Sequence, residues 1–520
     1  MNTPLRSWLT IGIISLSLGC STTHSLNHRG AIQEDFIENL RGTGDGAGTI
    51  ETVWLQINDV YEMLPLEGGR AGGLARVAKL EQKLIAKNPN TRMVIAGDFL
   101  SPSAIGAAEF EGRKLNGRQM LDTLAEAGLD IAVFGNHEFD IPEEDFRLRL
   151  QETKHRFKWV SGNVLDSKTG APFEGTSPYA VLEFTDQDGD RVRIGILNVT
   201  IDSSRKPYVR YLDRLQSARN TMKALKKEKA DIILALTHQS VDEDRELIRD
   251  VPGIDLLLGG HEHVAMDVKA LEKKTLKEVR ITKADANAKT AWIHALTWDT
   301  RTRKLSVKSV LQEIGDQTPE DPRISEIATQ WIKRANEGYR AKGFEPTSKV
   351  ILLRSPLDGR EEVIRSRSTS LSEMILGALQ NQAPQADVAL FNSGLVRVDD
   401  VVQPGVLTEY DILRIAPFPD EVLTATMNGA DLIKIRDYNR GAKGDGMYLQ
   451  IRAKQPLESL DPAKTYSVVM NTYLAGRIRG GLAFSKDGKT PPQQDPLQNA
   501  APGTEFRKAI IHYLRSNPSL

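Results

Sequence analysis

Residues 131–140 read IAVFGNHEFD: an apolar run that breaks at Gly135 into a dense set of polar side chains. The run is apolar throughout rather than alternating, the pattern of a strand buried on both faces. The same grammar recurs along the chain. Val53 to Ile57 (VWLQI) is followed by Asn58-Asp59, and Met93 to Ala96 (MVIA) by Gly97-Asp98. Ile232 to Leu236 (IILAL) is followed by Thr237-His238, and Ile254 to Leu258 (IDLLL) by Gly259-Gly260-His261-Glu262-His263. A further run, Ile194 to Leu197 (IGIL), has the same apolar character. Helix candidates over 73–88, 117–128 and 212–229 lie between these runs. Strand–helix alternation of this kind predicts an α/β layered domain.

In such a domain, ligands bind outside the carboxyl ends of the strands. The polar residues that follow the five runs should therefore converge on one small volume. Taken singly, an Asp after a strand is ordinarily a turn residue or a helix cap, and a His is ordinarily a satisfied polar group. Together they form a coordination set. Asp59 and Asp98 offer anionic oxygen, Asn136 neutral oxygen, and His238, His261 and His263 imidazole nitrogen. That mixture suits Zn, Mn, Fe or Co better than Ca or Mg. Two such metals about 4 Å apart are a recurrent device for phosphate-ester hydrolysis. His155, His294 and His512 have no comparable company and read as structural.

Beyond residue 300 the rhythm changes. Pro319 and Pro322 flank a turn, and 323–342 (RISEIATQWIKRANEGYRAK) reads as one amphipathic helix ended by Gly343 and Pro346. A second region follows, with a helix over 371–382 and the strand-like runs VALFN and YSVVMN. The 520 residues, at about 150 per domain, accommodate two large domains or three smaller ones. Hydrophobic residues make up 40% and charged residues 26%, which excludes collagen-like, wholly disordered and polytopic membrane chains. With 68 Lys plus Arg against 69 Asp plus Glu, the net charge of −1 gives no electrostatic reason for a nucleic acid polymer or an anionic membrane as partner.

One cysteine excludes a disulfide framework and a Cys-based zinc site. Cys20 follows an apolar run from Trp8 to Leu18 that is too short to span a bilayer but suits a signal peptide. Leu16-Ser17-Leu18-Gly19-Cys20 resembles a bacterial lipobox, with Ser17 where such boxes usually carry Leu. The expectation is an exported protein, periplasmic or at the cell surface, lipidated at Cys20. An ordinary cleaved signal peptide is the alternative. Residues 21–48 are polar and Gly-rich and read as a flexible tether.

In order, ND, GD, GNHEFD, TH and GGHEH resemble the calcineurin-like metallophosphoesterase pattern. GNHEFD followed by a second domain resembles the bacterial 5′-nucleotidase family, which includes the periplasmic UDP-sugar hydrolases. The resemblance implies a four-layer α/β catalytic domain, two sheets flanked by helices, joined by a connector helix to a smaller α/β domain. Its parts would be a signal segment (1–20), the tether (21–48), the metallophosphoesterase domain (49–320), the connector (321–346) and the 5′-nucleotidase C-terminal domain (347–520). It implies two divalent metals, Zn, Mn, Co or Fe. Asp59, Asp98 and His263 would hold one; Asp98 as the bridge, Asn136, His238 and His261 would hold the other. His137 and Asp140 would form the catalytic dyad.

In the second region, Asn392-Ser393-Gly394-Leu395-Val396-Arg397 resembles the family's N-x-G-x-x-R segment, Pro417-Phe418 its P-F segment, and Tyr473 with Gly480-Gly481 its F-L-x-x-G-G-D loop. By that resemblance Phe418 and Tyr473 sandwich a nucleobase, Asn392 and Gly394 lie beside it, and Arg367 and Arg397 hold phosphate. Stacking binds any base, and arginine reads phosphate bidentately. Core packing is the alternative for both aromatics. Two departures stand out. Tyr61 replaces the family's histidine, so it either ligates through its phenolate, which would favour a ferric ion, or leaves that position to water. Leu482 stands where the family has an Asp for the ribose hydroxyls, and an apolar side chain accepts no hydrogen bond.

The function implied is hydrolysis of nucleoside 5′-monophosphates, with nucleotide sugars as further substrates. The alternatives are a 2′,3′-cyclic-nucleotide phosphodiesterase or other phosphoesterase on the same scaffold, a thiosulfate-processing relative, and a non-catalytic surface binding protein. The oligomeric state stays open.

Overall fold

The IAVFGNHEFD stretch forms a strand, Leu129–Val133, that leads into a single 3-10 turn, His137–Asp140. The computed structural model describes residues 34–42, 48–485 and 488–518. The expected signal segment and the lipobox-like stretch ending in Cys20 lie outside the described residues. No helix among the described residues is long and apolar enough to cross a membrane.

Two sheets make the first domain. In one, β1 (Thr49–Ile57) pairs in parallel with β2 (Thr91–Ile95), and β2 with β3 (Leu129–Val133). Antiparallel strands Thr290–Asp299 and Lys304–Glu313 extend it beyond β1. In the other, β4 (Arg191–Thr200), β5 (Ile232–His238) and β6 (Leu256–Gly260) are parallel neighbours. The sheets face each other through Trp54, Val94, Ile131 and Val133 on one side and Ile196, Leu234, Leu236 and Leu258 on the other. Each fully buried Leu or Ile contributes about 1.5–3 kcal/mol of transfer free energy. The outer faces are covered by helices, among them Leu74–Lys87, which buries Leu74, Val77, Ala78 and Leu84, and Arg214–Lys227, which buries Ala218, Met222 and Leu225. Helix, sheet, sheet and helix are the four expected layers, and burial on both sides explains why the strands read as unbroken apolar runs.

A helix over Pro322–Ala341 follows. Asp321 caps it by accepting from Ile324 N at 3.0 Å, and Pro322 opens its first turn. Its buried stripe of Ile324, Ala328, Trp331, Ala335 and Tyr339 lies on the first domain, where Tyr339 Oη donates to Ala104 O at 2.6 Å. The second domain is built on a five-stranded sheet in which Val388–Asn392 runs parallel to Thr465–Asn471. Alternation sorts its side chains: Val388 and Leu390 pack with Leu432, Leu474 and Ile478 on one face, while Ala389 and Phe391 pack with Ile375 and Leu379 on the other.

The tether expectation needs correction over 34–42. Residues 34–38 are helical, and Ile37 and Leu40 are buried in the first domain's core. Asn88 Nδ2 donates to Arg41 O at 2.9 Å and ties the segment down. The polar, Gly-rich flanks hid a single amphipathic turn carried by Phe36, Ile37 and Leu40.

Candidate active site

The carboxyl ends of β1, β2, β3, β5 and β6 meet at one place. The backbone turns off the strands in the left-handed region at Asp59 (φ 52°), Asp98 (φ 56°) and His261 (φ 87°). Non-glycine residues held there are strained and persist where the surroundings over-determine them. Gly135 explains how close the loops come: a Cβ there would lie 2.1 Å from Asp98 Oδ1. Only glycine allows that approach.

Asp59, Asp98 and His238 form a buried group that could hold a metal ion, their ligand atoms all within 4.8 Å of one another. His238 Nδ1 donates to Ala96 O at 2.7 Å, which turns Nε2 toward Asp98 Oδ2 at 3.2 Å. His263 Nε2 lies 3.6 Å from Asp59 Oδ1. Tyr61 Oη sits between Asp98 Oδ2 and His263 Nε2, 3.2 Å from each. Burial and the Asp98 and Asp59 charges hold the Tyr61 phenol well above its ordinary pKa, so the neutral hydroxyl is favoured.

Three buried atoms of this cluster have no hydrogen-bond partner: Asp59 Oδ1, Asn136 Oδ1 and His238 Nε2. Each such orphan costs about 1–3 kcal/mol, and all three belong to residues expected as ligands. Burial alone would lower the His238 pKa, yet the Asp98 and Asp59 carboxylates lift it to about 9. A buried, anionic, under-satisfied pocket of mixed oxygen and nitrogen donors fits a divalent transition metal.

The supporting layer contains residues the sequence reading did not single out. Glu138, fully buried, accepts from the backbone N–H of Asp98 (2.9 Å), Phe99 (2.7 Å) and Gly135 (2.5 Å), and so clamps two ligand loops together. Burial and the nearby Asp98 push its carboxyl up to about 7. Asn58 donates to Asp59 Oδ2 at 2.8 Å. Lys283, also fully buried, donates to Gly260 O at 2.8 Å and pairs with Asp244 at 2.9 Å and with Glu262, which fixes the His261–His263 loop. Glu138 and Glu262 lie inside the motifs themselves, and charged residues there were the available signal.

His137 N donates to Asp98 Oδ1 at 2.8 Å, and its Nδ1 donates to Asp140 Oδ2 at 2.6 Å. Burial acts against it, yet His137 and Lys206 keep the Asp140 carboxyl below its usual range. Ser204 Oγ donates to Asp140 Oδ1 at 3.2 Å, and Lys206 Nζ lies 3.3 Å from the same oxygen. Both come from the loop after β4.

The second domain closes over this edge. A cavity of about 410 Å³ is lined by Asp98, Asn136, His137, His261 and His263 on one side and by Arg365 and Arg397 on the other. An adjoining cavity of about 880 Å³ is lined by Asn392, Gly394, Arg397, Phe418 and Tyr473. Asp140, Ser203, Arg397 and Asp445 belong to both walls. Phe418 and Tyr473 are 38% and 55% exposed, which separates them from core aromatics. Arg397 lies 5.5 Å from the Phe418 ring centroid, and its Nε is buried without a partner. Asp420, also unforeseen, accepts from Tyr473 N at 3.1 Å and from Asn471 Nδ2 at 2.7 Å, orienting the Tyr473 segment.

Two expectations are corrected here. Arg367 is exposed and lines neither cavity; Arg365, two residues earlier, lines the smaller cavity together with His137 and Arg397. Leu482 is 3% exposed within the second domain's core and does not face the cavity at all. His294, read as structural, is buried against Ser309 and Gln56.

Comparison with known proteins follows the same division. Residues 54–265 match the calcineurin-like phosphoesterase family, and residues 350–455 match the 5′-nucleotidase C-terminal domain. A 5′-nucleotidase of Vibrio cholerae is 28% identical over 438 residues, 75% of this chain and 74% of its own length. The protein UshA of Yersinia enterocolitica is 25% identical over 428 residues, 70% of this chain and 74% of its own. The fold is shared with the 5′-nucleotidase precursor from Thermus thermophilus at a TM-score of 0.72 and 21% identity, over 90% of this chain and 97% of that one.

Proposed function

Because the chain belongs to the calcineurin-like phosphoesterases with a 5′-nucleotidase C-terminal domain, and is thus a phosphate-ester hydrolase, we propose that it releases phosphate from nucleoside 5′-monophosphates at a two-metal centre. One observation carries this reading: exposed Phe418 and Tyr473 and the ligand set around Asp98 line adjoining cavities with a common wall. A nucleotide laid along that wall has its base between two aromatic faces and its phosphate at the strand ends.

The ligand sets are those the resemblance implies: Asp59, Asp98 and His263 for one ion, with Tyr61 beside them, and Asp98, Asn136, His238 and His261 for the other. When bound, Zn, Mn, Co or Fe at these positions supplies charge neutralisation and water activation at neutral pH. The chain's own residues do the rest. Arg365 and Arg397 hold the non-bridging phosphate oxygens. His137 protonates the leaving 5′-oxygen, and Asp140 fixes its tautomer and stabilises the imidazolium. Phe418 and Tyr473 stack on the base, and Asn392 and Gly394 lie at its edge. The second domain completes the site, so the 321–346 connector and the 49–320 and 347–520 units act together.

The cavity of about 880 Å³ lies at the large end of small-molecule sites. That volume supports a second reading, in which nucleotide sugars are also cleaved. The apolar segment before Cys20 supports export to the periplasm or cell surface with a lipid anchor at that residue. A substrate panel tests the function: phosphate release from AMP, UMP, ADP, UDP-glucose, 2′,3′-cyclic AMP and p-nitrophenyl phosphate with added Mn, Zn or Co. Preference for AMP or UMP supports a nucleotidase. Activity confined to the aryl ester or the cyclic nucleotide would replace that reading with another phosphoesterase.

A further inference from the structure

We propose that Asp399, supplied by the second domain, is a positioning residue for the metal centre of the first: it holds the His263 imidazole in its ligating orientation, so the site is complete only when the domains are docked. The proposal rests on the reading of Asp59, Asp98 and His263 as ligands. His263 Nδ1 donates to Asp399 Oδ2 at 2.5 Å. That bond fixes the proton on Nδ1 and leaves the Nε2 lone pair directed toward Asp59 Oδ1, 3.6 Å away. A carboxylate bonded to the far nitrogen of a ligating histidine orients the ring and raises its basicity.

Asp399 is itself held. Its Oδ1 accepts from Glu361 N at 2.7 Å, and its backbone adopts φ 38°, a conformation few side chains take. The pair is shielded, with side-chain exposures of 17% for His263 and 18% for Asp399. Neighbouring bridges brace the same junction: Asp400 lies 3.3 Å from Lys289, and Arg414 lies 3.3 Å from Glu62. The other two anchored histidines take their support from within the first domain, His238 from Ala96 O and His137 from Asp140. His263 alone of these three is oriented from across the domain boundary. Domain separation therefore removes its orienting carboxylate, and by linkage tighter metal binding favours docking.

Titration of metal-free protein with Co²⁺, read by the visible spectrum and by calorimetry, tests this. D399G deletes the carboxylate at a backbone conformation glycine adopts readily, and D399N keeps an acceptor without the charge. In D399G one of the two metal equivalents should bind about 10–100-fold more weakly, with a changed Co²⁺ spectrum; D399N should fall between it and the wild type. A purely structural role would lower the melting temperature and leave both affinities intact, and that result overturns the proposal. Wild-type protein that takes up no metal would instead overturn the metal reading beneath it.

Discussion

His137 Nδ1 lies 2.6 Å from Asp140 Oδ2 across one 3-10 turn, while the His137 backbone N–H bonds the Asp98 carboxylate at 2.8 Å. One residue thus ties the proposed proton-transfer pair to the carboxylate proposed to bridge the metals. H137A should lower kcat on AMP by about 10²–10⁴-fold with bound metal retained. Steady-state rates and elemental analysis on the same preparation check this, and an unchanged rate would remove His137 from the reaction.

Asp98 faces His238, Tyr61 and His137 at once. D98N should therefore damage both metal positions together, and elemental analysis after gel filtration should show neither equivalent retained. A variant still holding two would contradict the bridging assignment.

Arg365 and Arg367 separate the two placements of the phosphate contact. R365A should reduce kcat/KM on AMP by about 10–100-fold, the worth of a charged hydrogen bond. R367A, exposed and away from both cavities, should stay near wild type. The reverse pattern would restore Arg367.

Stacking on Phe418 and Tyr473 should be worth about 1–3 kcal/mol per ring. F418A and Y473A should each raise KM for AMP by roughly 5–150-fold, the same range converted, and leave p-nitrophenyl phosphate unaffected. Equal losses on both substrates would mean that the rings shape the domain rather than bind a base.

Glu81 offers a pH test away from the site. It is 5% exposed, and burial, with Asp130 nearby, pushes its carboxyl up to about 8. A folded pKa above the unfolded one of a carboxyl means that the native state holds more protons between about pH 4.5 and 8, so stability falls as pH rises through that window. E81Q should raise the melting temperature at pH 8.5, by an effect on the order of 1–3 kcal/mol, and do little at pH 4. A gain of equal size at both pH values would point to packing instead.

The cluster at the strand ends was legible because it is written in short words that follow each strand. Asp59, Asp98, Asn136, His238, His261 and His263 each follow a buried apolar run, and the fold brings all such ends to one edge. The second domain was harder to read. Arg365 and Arg367 are two residues apart in a loop after a four-residue helix, where no periodicity says which one faces inward. Leu482 follows the Tyr473 helix, and its apolar character is explained by the core it enters rather than by the cavity it was aligned to. Asp399, Asp420 and Lys206 lie in loops whose partners are distant in sequence, so only the folded structure brings them together. The helical turn at 34–38 was concealed by flanks of opposite character.

The most direct test of a nucleotide held between the aromatic pair and the strand-end metals is a crystal structure. The protein would be soaked with Mn²⁺ and a non-hydrolysable adenosine nucleotide, with anomalous scattering used to place the metal. The account predicts two anomalous peaks sharing Asp98, with the adenine ring between Phe418 and Tyr473. No metal at Asp98, or an adenine bound away from those two rings, would contradict it.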